Sequence, residues 1–210
     1  RSNYDFMYII SEFINGENID NWENTKGSKF SFLSSRRKKS ALRSAGRELG
    51  KLHAQTDFDN FGHFKLEDNE LRFRQKGSWE DTFREIILEE QVSNFPERFD
   101  DLKHQVREFV EDNIGVIEMA SSPCVIHQDF RWPNMLVEDE VKGVVDWERA
   151  LSGHHEYDLF KAEESLLSFK TKESCDKYRS YFLDGYRKFK DLSDGWRTRR
   201  EFYRALRSVE

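Results

Sequence analysis

Apolar residues recur at helical spacing over most of this chain and at strand-like density in only a few short stretches. Leu42, Ala45, Leu49 and Leu52 share one face between Arg36 and Gln55, and Ser34-Ser35 stands ahead of them as a helix cap. A second helix is expected over Trp79 to Val92. Pro96 opens a third, with Phe99, Leu102, Val106 and Phe109/Val110 on one stripe. Later helices are expected over Tyr157 to Phe169, Lys172 to Lys190 and Ser193 to Val209. On the second of these, Cys175, Tyr178, Phe182 and Phe189 form a core stripe. Asp57 to Leu71, with Gly62 and Asn69, is the least regular segment and reads as a loop with a short hairpin. Tyr4 to Ile10 reads as a strand. Met135-Leu136-Val137 and Val141 to Val145 are apolar and β-branched, and the polar Glu138-Asp139-Glu140 between them makes a hairpin. The expected class is α+β, mainly α: a helical lobe with one small β-hairpin.

That hairpin is flanked by the chain's most informative polar residues. If its strands pair antiparallel about residue 140, Asn134 and Asp146 fall opposite each other. Opposed residues in such a ladder lie about 5 Å apart, so an oxygen from each can share one hard cation. Mg²⁺ takes one or two such protein ligands and fills its remaining positions with phosphate oxygens and water. Asp129 precedes the hairpin on a loop and would face the same pocket. Phosphoryl transfer needs this set: a carboxylate to orient and deprotonate a hydroxyl, and an amide and a second carboxylate to hold the metal.

Composition narrows the partners. With 34 basic and 40 acidic side chains the net charge is −6, which argues against a general nucleic-acid binder. No apolar run is long enough to span a membrane, and a cytoplasmic protein is expected. Hydrophobic content is only 37%, but 18 Phe, 7 Tyr and 5 Trp supply bulky core material. The two cysteines imply no disulfide framework, and Cys124 is expected to be a buried thiol.

The run His127-Gln128-Asp129-Phe130-Arg131-Trp132-Pro133-Asn134, followed by Val144-Val145-Asp146-Trp147-Glu148, resembles the aminoglycoside phosphotransferase and choline kinase family, a branch of the protein-kinase-like fold. Gly153-His154-His155-Glu156-Tyr157-Asp158-Leu159 is similar to that family's Gly-x-x-x-Tyr-Asp-Leu segment, and Leu49-Gly50-Lys51-Leu52-His53 to its helix ending in Leu-His. The resemblance implies Asp129 as catalytic base and Asn134 and Asp146 as ligands of Mg²⁺ on ATP. It implies His127 as a scaffold histidine of the loop and Asp158 as a buried carboxylate hydrogen-bonded to the loop backbone. Arg131 stands where protein kinases place a Lys facing the transferred phosphate. Gln128 departs from a frequent Gly, and Arg131-Trp132-Pro133 from a frequent His-Pro-Gly. These departures concern acceptor-side detail, not the reaction type.

The resemblance also implies an arrangement of lobes. Residues 1–16 correspond to the last N-lobe strand and hinge, with the backbone of Ser11, Glu12 and Phe13 on the adenine edge. Residues 17–210 correspond to the C-lobe, with the catalytic loop at 127–134 and the metal-binding strand end at 144–148. In relatives a Gly-rich loop, a strand Lys and a helix Glu lie upstream. Gly27-Ser28-Lys29 and Gly77-Ser78 are lone pieces that replace none of them, so a truncated product or excised fragment is expected.

The implied activity is transfer of the ATP γ-phosphate to a hydroxyl of a small molecule such as an aminoglycoside, choline, homoserine or a sugar. Two alternatives stay open: a non-catalytic kinase-like binding module or inactive fragment, and a metal-dependent hydrolase using Asp129 and Asp146. His154-His155-Glu156 invites a zinc reading, but adjacent histidines point apart and no second pair sits at metal spacing. Glu156, Glu163 and Glu164 read either as a solvated helix face or as ligands for an amine or polyol. Arg36-Arg37-Lys38-Lys39 reads as a solvated first turn, and His53 as a packing or hydrogen-bonding residue.

Overall fold

In the computed structural model Ser34 caps α1 (Ser35–Gln55), its hydroxyl accepting the Arg37 amide at 3.3 Å. The structure describes residues 13–18, 34–68, 70–74, 77–118, 122–167 and 172–207. The expected strand over Tyr4 to Ile10, Ser11, Glu12 and Gly27-Ser28-Lys29 lie outside these residues. Short β1 (Glu17–Asn18) precedes α1; after it come β2 (Gly62–Glu67), β3 (Glu70–Phe73), α2 (Trp79–Arg84), α3 (Asp100–Asn113) and β4 (Cys124–Ile126). The hairpin β5 (Met135–Val137) and β6 (Val141–Val144) follows, then β7 (Leu151–Gly153), α4 (His155–Leu166), α5 (Lys172–Tyr186) and α6 (Trp196–Leu206). One antiparallel sheet runs β1-β5-β6 and the other β3-β2-β7-β4.

The hydrophobic core lies between α1, α4, α5 and the aromatic side of α2 and α6. Leu42, Ala45 and Leu49 of α1 are buried as the periodicity predicts; Ala41 is buried beside them, and Leu52 is only partly buried against the core. The face they form meets α5 backbone to backbone. A Cβ on Gly46 would fall 1.9 Å from Phe182 O, and one on Gly185 would fall 2.0 Å from Arg43 O. Only glycine permits so close a crossing. α4 sits centrally: His155 through Phe160 are all buried, the mark of a helix enclosed on every side. Trp79, Phe83, Tyr157, Phe202 and Tyr203 close the far end, with ring centroids 5.2–5.8 Å apart. Trp79 Nε1–H donates to Tyr203 Oη at 3.0 Å.

Several expectations are corrected. The helix foreseen over Trp79 to Val92 is α-helical only to Arg84; Glu85–Glu89 form a π turn and Val92–Asn94 a 3₁₀ turn. Ile86, Ile87 and Leu88 are all buried, a wider face than one α-helical stripe provides. After Pro96 a 3₁₀ turn (Glu97–Phe99) leads into α3, whose buried residues are Val106 and Val110. Phe99, Leu102 and Phe109 lie half-exposed beside them, Phe109 stacked on Phe202. In the α5 stripe Phe182 is buried, whereas Phe189 falls beyond the helix and is half-exposed beneath Lys51. The segment Asp57 to Leu71 is, as expected, a loop leading into a short hairpin, β2–β3, which turns at Asp68 with φ 54°.

Glu156, Glu163 and Glu164 are neither a solvated face nor an open ligand set. Glu156 is fully buried and holds Arg199 through Nε–Oε2 and Nη2–Oε1 contacts of 2.5 and 3.1 Å. Glu163 pairs with Arg200 at 2.9 Å and Arg179 at 3.3 Å, and Glu164 with Arg207 at 2.6 Å. These pairs fasten α6 and α5 to α4. Likewise the basic first turn of α1 is not simply solvated: Arg37 Nε meets Asp139 at 2.9 Å, on the turn between β5 and β6.

The buried histidines predict an acid-sensitive fold. Burial pushes His154 down to about 4, with Arg199 adding to the effect and Glu156 opposing it; His155 is lowered as well. The folded protein therefore refuses a proton that the unfolded chain accepts below about 6.5. Stability is full above that value and is lost as pH falls towards 4, by about 3 kcal/mol for His154 alone. Urea midpoints measured from pH 7 to pH 4 are expected to fall along this slope, and His154→Asn is expected to flatten it.

Candidate active site

β4 delivers the chain into a buried loop that begins at His127 and ends in a 3₁₀ turn at Trp132–Asn134. Asp158 on α4 holds the loop's start: its Oδ2 accepts the His127 amide and its Oδ1 the Gln128 amide, both at 2.8 Å. Burial works against a charge on Asp158, but hydrogen bonds from His53 and the His127 backbone outweigh it and hold the carboxyl below its usual range.

Gln128 has a φ of 65°, the left-handed region in which glycine is at ease. That explains the Gly frequent at this position in the resemblance. Here the conformation costs about 1–2 kcal/mol, opposed by the Asp158 contact and by Gln128 Nε2 donating to Arg149 O at 2.9 Å.

His127 links the loop to the end of β6. Its Nδ1 accepts the Asp129 amide at 3.2 Å, so the ring proton sits on Nε2, which donates to Val145 O at 3.0 Å. The ring packs 4.6 Å from Trp147, whose Nε1–H donates to Val144 O at 2.9 Å. Asp146 lies between these two anchors, exposed, with φ 68°.

Asp129, Arg131 and Asn134 converge. Asp129 Oδ2 accepts Asn134 Nδ2–H at 2.8 Å and Arg131 Nε–H at 2.9 Å, and Asn134 Nδ2 also donates to Asp129 O at 3.0 Å. The Asp129 side chain keeps a quarter of its surface exposed. Its Oδ1 is the atom left for a proton, and the Asn134 amide oxygen is the atom left for a cation. Arg131 thus stands first against Asp129, a contact the sequence did not reveal.

The hairpin register needs correction. Met135 pairs with Val144 and Leu136 with Gly143, then the register shifts so that Val137 meets Val141. Asn134 therefore faces Val145, not Asp146: Val145 N–H donates to Asn134 O at 2.9 Å. The turn-side pair is centred on residue 139 where 140 was expected, and the shift recovers only half a residue of that difference. Asp146 stands one residue past that pairing, at the point where the strand ends and φ turns positive. Asn134 and Asp146 still flank the same strand end, and two oxygen donors of this kind suit Mg²⁺.

On the other side of the hairpin, β1 pairs Glu17 with Val137 and Asn18 with Leu136, and Asn18 Nδ2 donates to Pro133 O. Phe13, at the expected adenine edge, is 88% exposed. His154 and His155 point to different helices, the first to Tyr203 Oη at 3.3 Å and the second to Tyr186 Oη at 2.9 Å. Ligand atoms of His154, His155 and Glu156 lie within 4.8 Å of one another, but the Glu156 carboxylate is already held by Arg199.

The sequence profile of the phosphotransferase enzyme family matches residues 3–202. The chain belongs to this family. Among solved structures, the phosphotransferase fold here is similar to a protein assigned as a fructosamine-3-kinase from Thermobifida fusca YX-ER1, with 19% identity and a TM-score of 0.58 over 80% of this chain and 57% of that one. An amicoumacin kinase in complex with AMP-PNP and Ca²⁺ matches at 17% identity and TM-score 0.59, over 81% of this chain and 49% of that chain. An ADP-bound aminoglycoside phosphotransferase matches at 16% identity and TM-score 0.52, over 92% and 70%. The chain thus spans about half the length of the first two. At these identities the likeness establishes the fold, which is protein-kinase-like, α+β and mainly α. No curated protein matches. No described helix is long and apolar enough to cross a membrane.

Proposed function

We propose that this phosphotransferase moves the γ-phosphate of ATP to a hydroxyl of a small molecule. The observation that supports this reading most directly is the convergence of Asn134 and Arg131 on a single oxygen of Asp129. That leaves one carboxylate oxygen for a hydroxyl and one amide oxygen for a metal. Asp129 orients the acceptor hydroxyl and takes its proton as the acceptor oxygen bonds to the γ-phosphorus and the bond to the β–γ bridging oxygen breaks, releasing ADP. Arg131, beside that carboxylate, offsets charge on the transferred group. Asn134 and Asp146 hold Mg²⁺, which when bound neutralises charge on the phosphate oxygens. His127 and Asp158 act on the loop's shape and do not touch substrate. The backbone of Ser11, Glu12 and Phe13 is the proposed adenine edge. Residues 1–16 are the proposed hinge segment and 17–210 the proposed C-lobe.

Calorimetry on the 210-residue chain tests the reading. ATP is expected to bind in the presence of Mg²⁺, and Asp146→Asn is expected to remove the metal-dependent part. Binding that is indifferent to Mg²⁺ and to Asp146, or absent from a folded sample, would contradict it.

A further inference from the structure

Asp158 is braced from below as well as by the loop. His53, at the last turn of α1, is fully buried, and its Nε2 lies 3.2 Å from Asp158 Oδ2. On its other side His53 Nδ1 lies 2.9 Å from Tyr186 Oη, and the same hydroxyl lies 2.9 Å from His155 Nδ1. Tyr186 and His155 are also buried, so water does not relieve any mismatch.

Proton counting gives this chain of contacts a direction. A hydroxyl carries one proton, so Tyr186 donates to one ring and must receive from the other. Asp158 already accepts two backbone amides and, as an ionised carboxylate, accepts only. His53 Nε2 therefore carries a proton. If His53 is neutral, its Nδ1 is bare and takes the Tyr186 proton, and His155 Nδ1 must be protonated to donate to Tyr186. Each of the three contacts, His155 to Tyr186, Tyr186 to His53 and His53 to Asp158, then holds one proton. The opposite polarity would put a positive charge on a fully buried His53.

We infer that Tyr186 and His155 are positioning residues for the catalytic loop. His155 Nδ1–H donates to Tyr186, Tyr186 donates to His53, and His53 is held as the Nε2–H tautomer that braces Asp158 beneath the amides leading into Asp129. The glycine crossing of α1 and α5 makes this reach feasible: a Cβ on Gly50 would fall 2.6 Å from Tyr186 O. The packing of two helices is thereby connected to the orientation of Asp129.

Long-range ¹H–¹⁵N spectra of the imidazoles test the inference. In the unmodified chain His53 is expected as a neutral Nε2–H ring and His155 as a neutral Nδ1–H ring. Tyr186→Phe keeps the ring volume and removes the proton given to His53. It is expected to abolish the single-tautomer signature of His53 and to move the backbone amide resonances of His127 and Gln128. His155→Leu is expected to act alike, and His155→Asn, which retains an N–H towards Tyr186, to restore both signals. Turnover of Mg·ATP with water as acceptor is expected to fall roughly tenfold in Tyr186→Phe with the KM for ATP unchanged. A His53 imidazolium, a His53 Nδ1–H tautomer, or unmoved loop amides in a folded Tyr186→Phe would overturn the inference. The kinetic effect rests on the phosphotransferase reading, whereas tautomers and amide shifts are read without turnover. Absence of turnover in the unmodified protein would therefore count against that reading alone.

Discussion

Asp129→Ala is expected to lower turnover by roughly 10²–10⁴-fold, the range a positioned general base contributes, while Mg·ATP binding is largely kept. Removing the carboxylate deprives both Asn134 and Arg131 of an acceptor. Asn134 keeps a second contact, the 3.0 Å hydrogen bond from its Nδ2 to the Asp129 backbone oxygen, which survives the substitution. The amide therefore stays oriented and its oxygen remains available to the metal. Arg131 has no such backup and is free to swing away, which adds to the loss of rate and not to a loss of nucleotide affinity. Steady-state kinetics of the active protein, paired with calorimetry on the same variant, separate the two effects. Turnover like that of the unmodified protein would end the proposal that Asp129 is the base.

The second large effect is on stability. Gly46→Ala and Gly185→Ala are each expected to destabilise the fold by about 3 kcal/mol. The new methyl carbons would lie 1.9 and 2.0 Å from backbone carbonyl oxygens, Phe182 O and Arg43 O. Backbone cannot step aside as a flexible side chain can, so the two helices must separate along their whole contact. Gly115 provides the control: a Cβ there meets nothing within 4 Å, and Gly115→Ala is expected to be neutral or slightly stabilising. Urea unfolding of the three variants measures the difference. Equal midpoints for Gly46→Ala and Gly115→Ala would show that α1 and α5 do not cross as closely as described. The separation would also withdraw Tyr186 from His53, so the catalytic loop should feel the same substitution.

Local features of this site are legible in the residues. The caps, the hairpin and the run from His127 to Asn134 depend on neighbours within a few positions, which periodicity and turn chemistry report directly. The backbone contact of Asp158 was available through family resemblance, because a helix aspartate at that separation recurs there. Arg131 was foreseen against a phosphate, and it stands against Asp129. Nothing in its spacing distinguishes the two, since both directions suit a long side chain.

Other features were decided at a distance. The turn pairs Val137 with Val141, about residue 139 and not 140, and the one-residue shift between Leu136 and Val137 makes up only part of the difference, so that Val145, not Asp146, faces Asn134. Alternation of apolar residues is insensitive to such a shift. Glu156 looked like a solvated acid because its own helix places no cation three or four residues away, where Leu159 and Phe160 stand; its partner Arg199 comes from α6. Phe99 and Leu102 satisfy helical periodicity yet stay half-exposed; of that stripe only Val106 and Val110 reach the core, and Phe99 lies in the 3₁₀ turn before α3.

By itself, the sequence determined most of the helices, the two hairpins and the set of chemical groups, Asp129, Asn134 and Asp146 in order along the chain; it did not show the π turn after Arg84 or the strands β4 and β7. The tertiary structure decided which atoms of those groups are left free, because that depends on partners brought in by packing. His53, Asp158, Tyr186 and His155 lie on three helices and meet only where glycine lets α1 and α5 touch. Helical periodicity records which face is buried. It carries no information about which proton meets which acceptor there, and that pairing is what orients the loop.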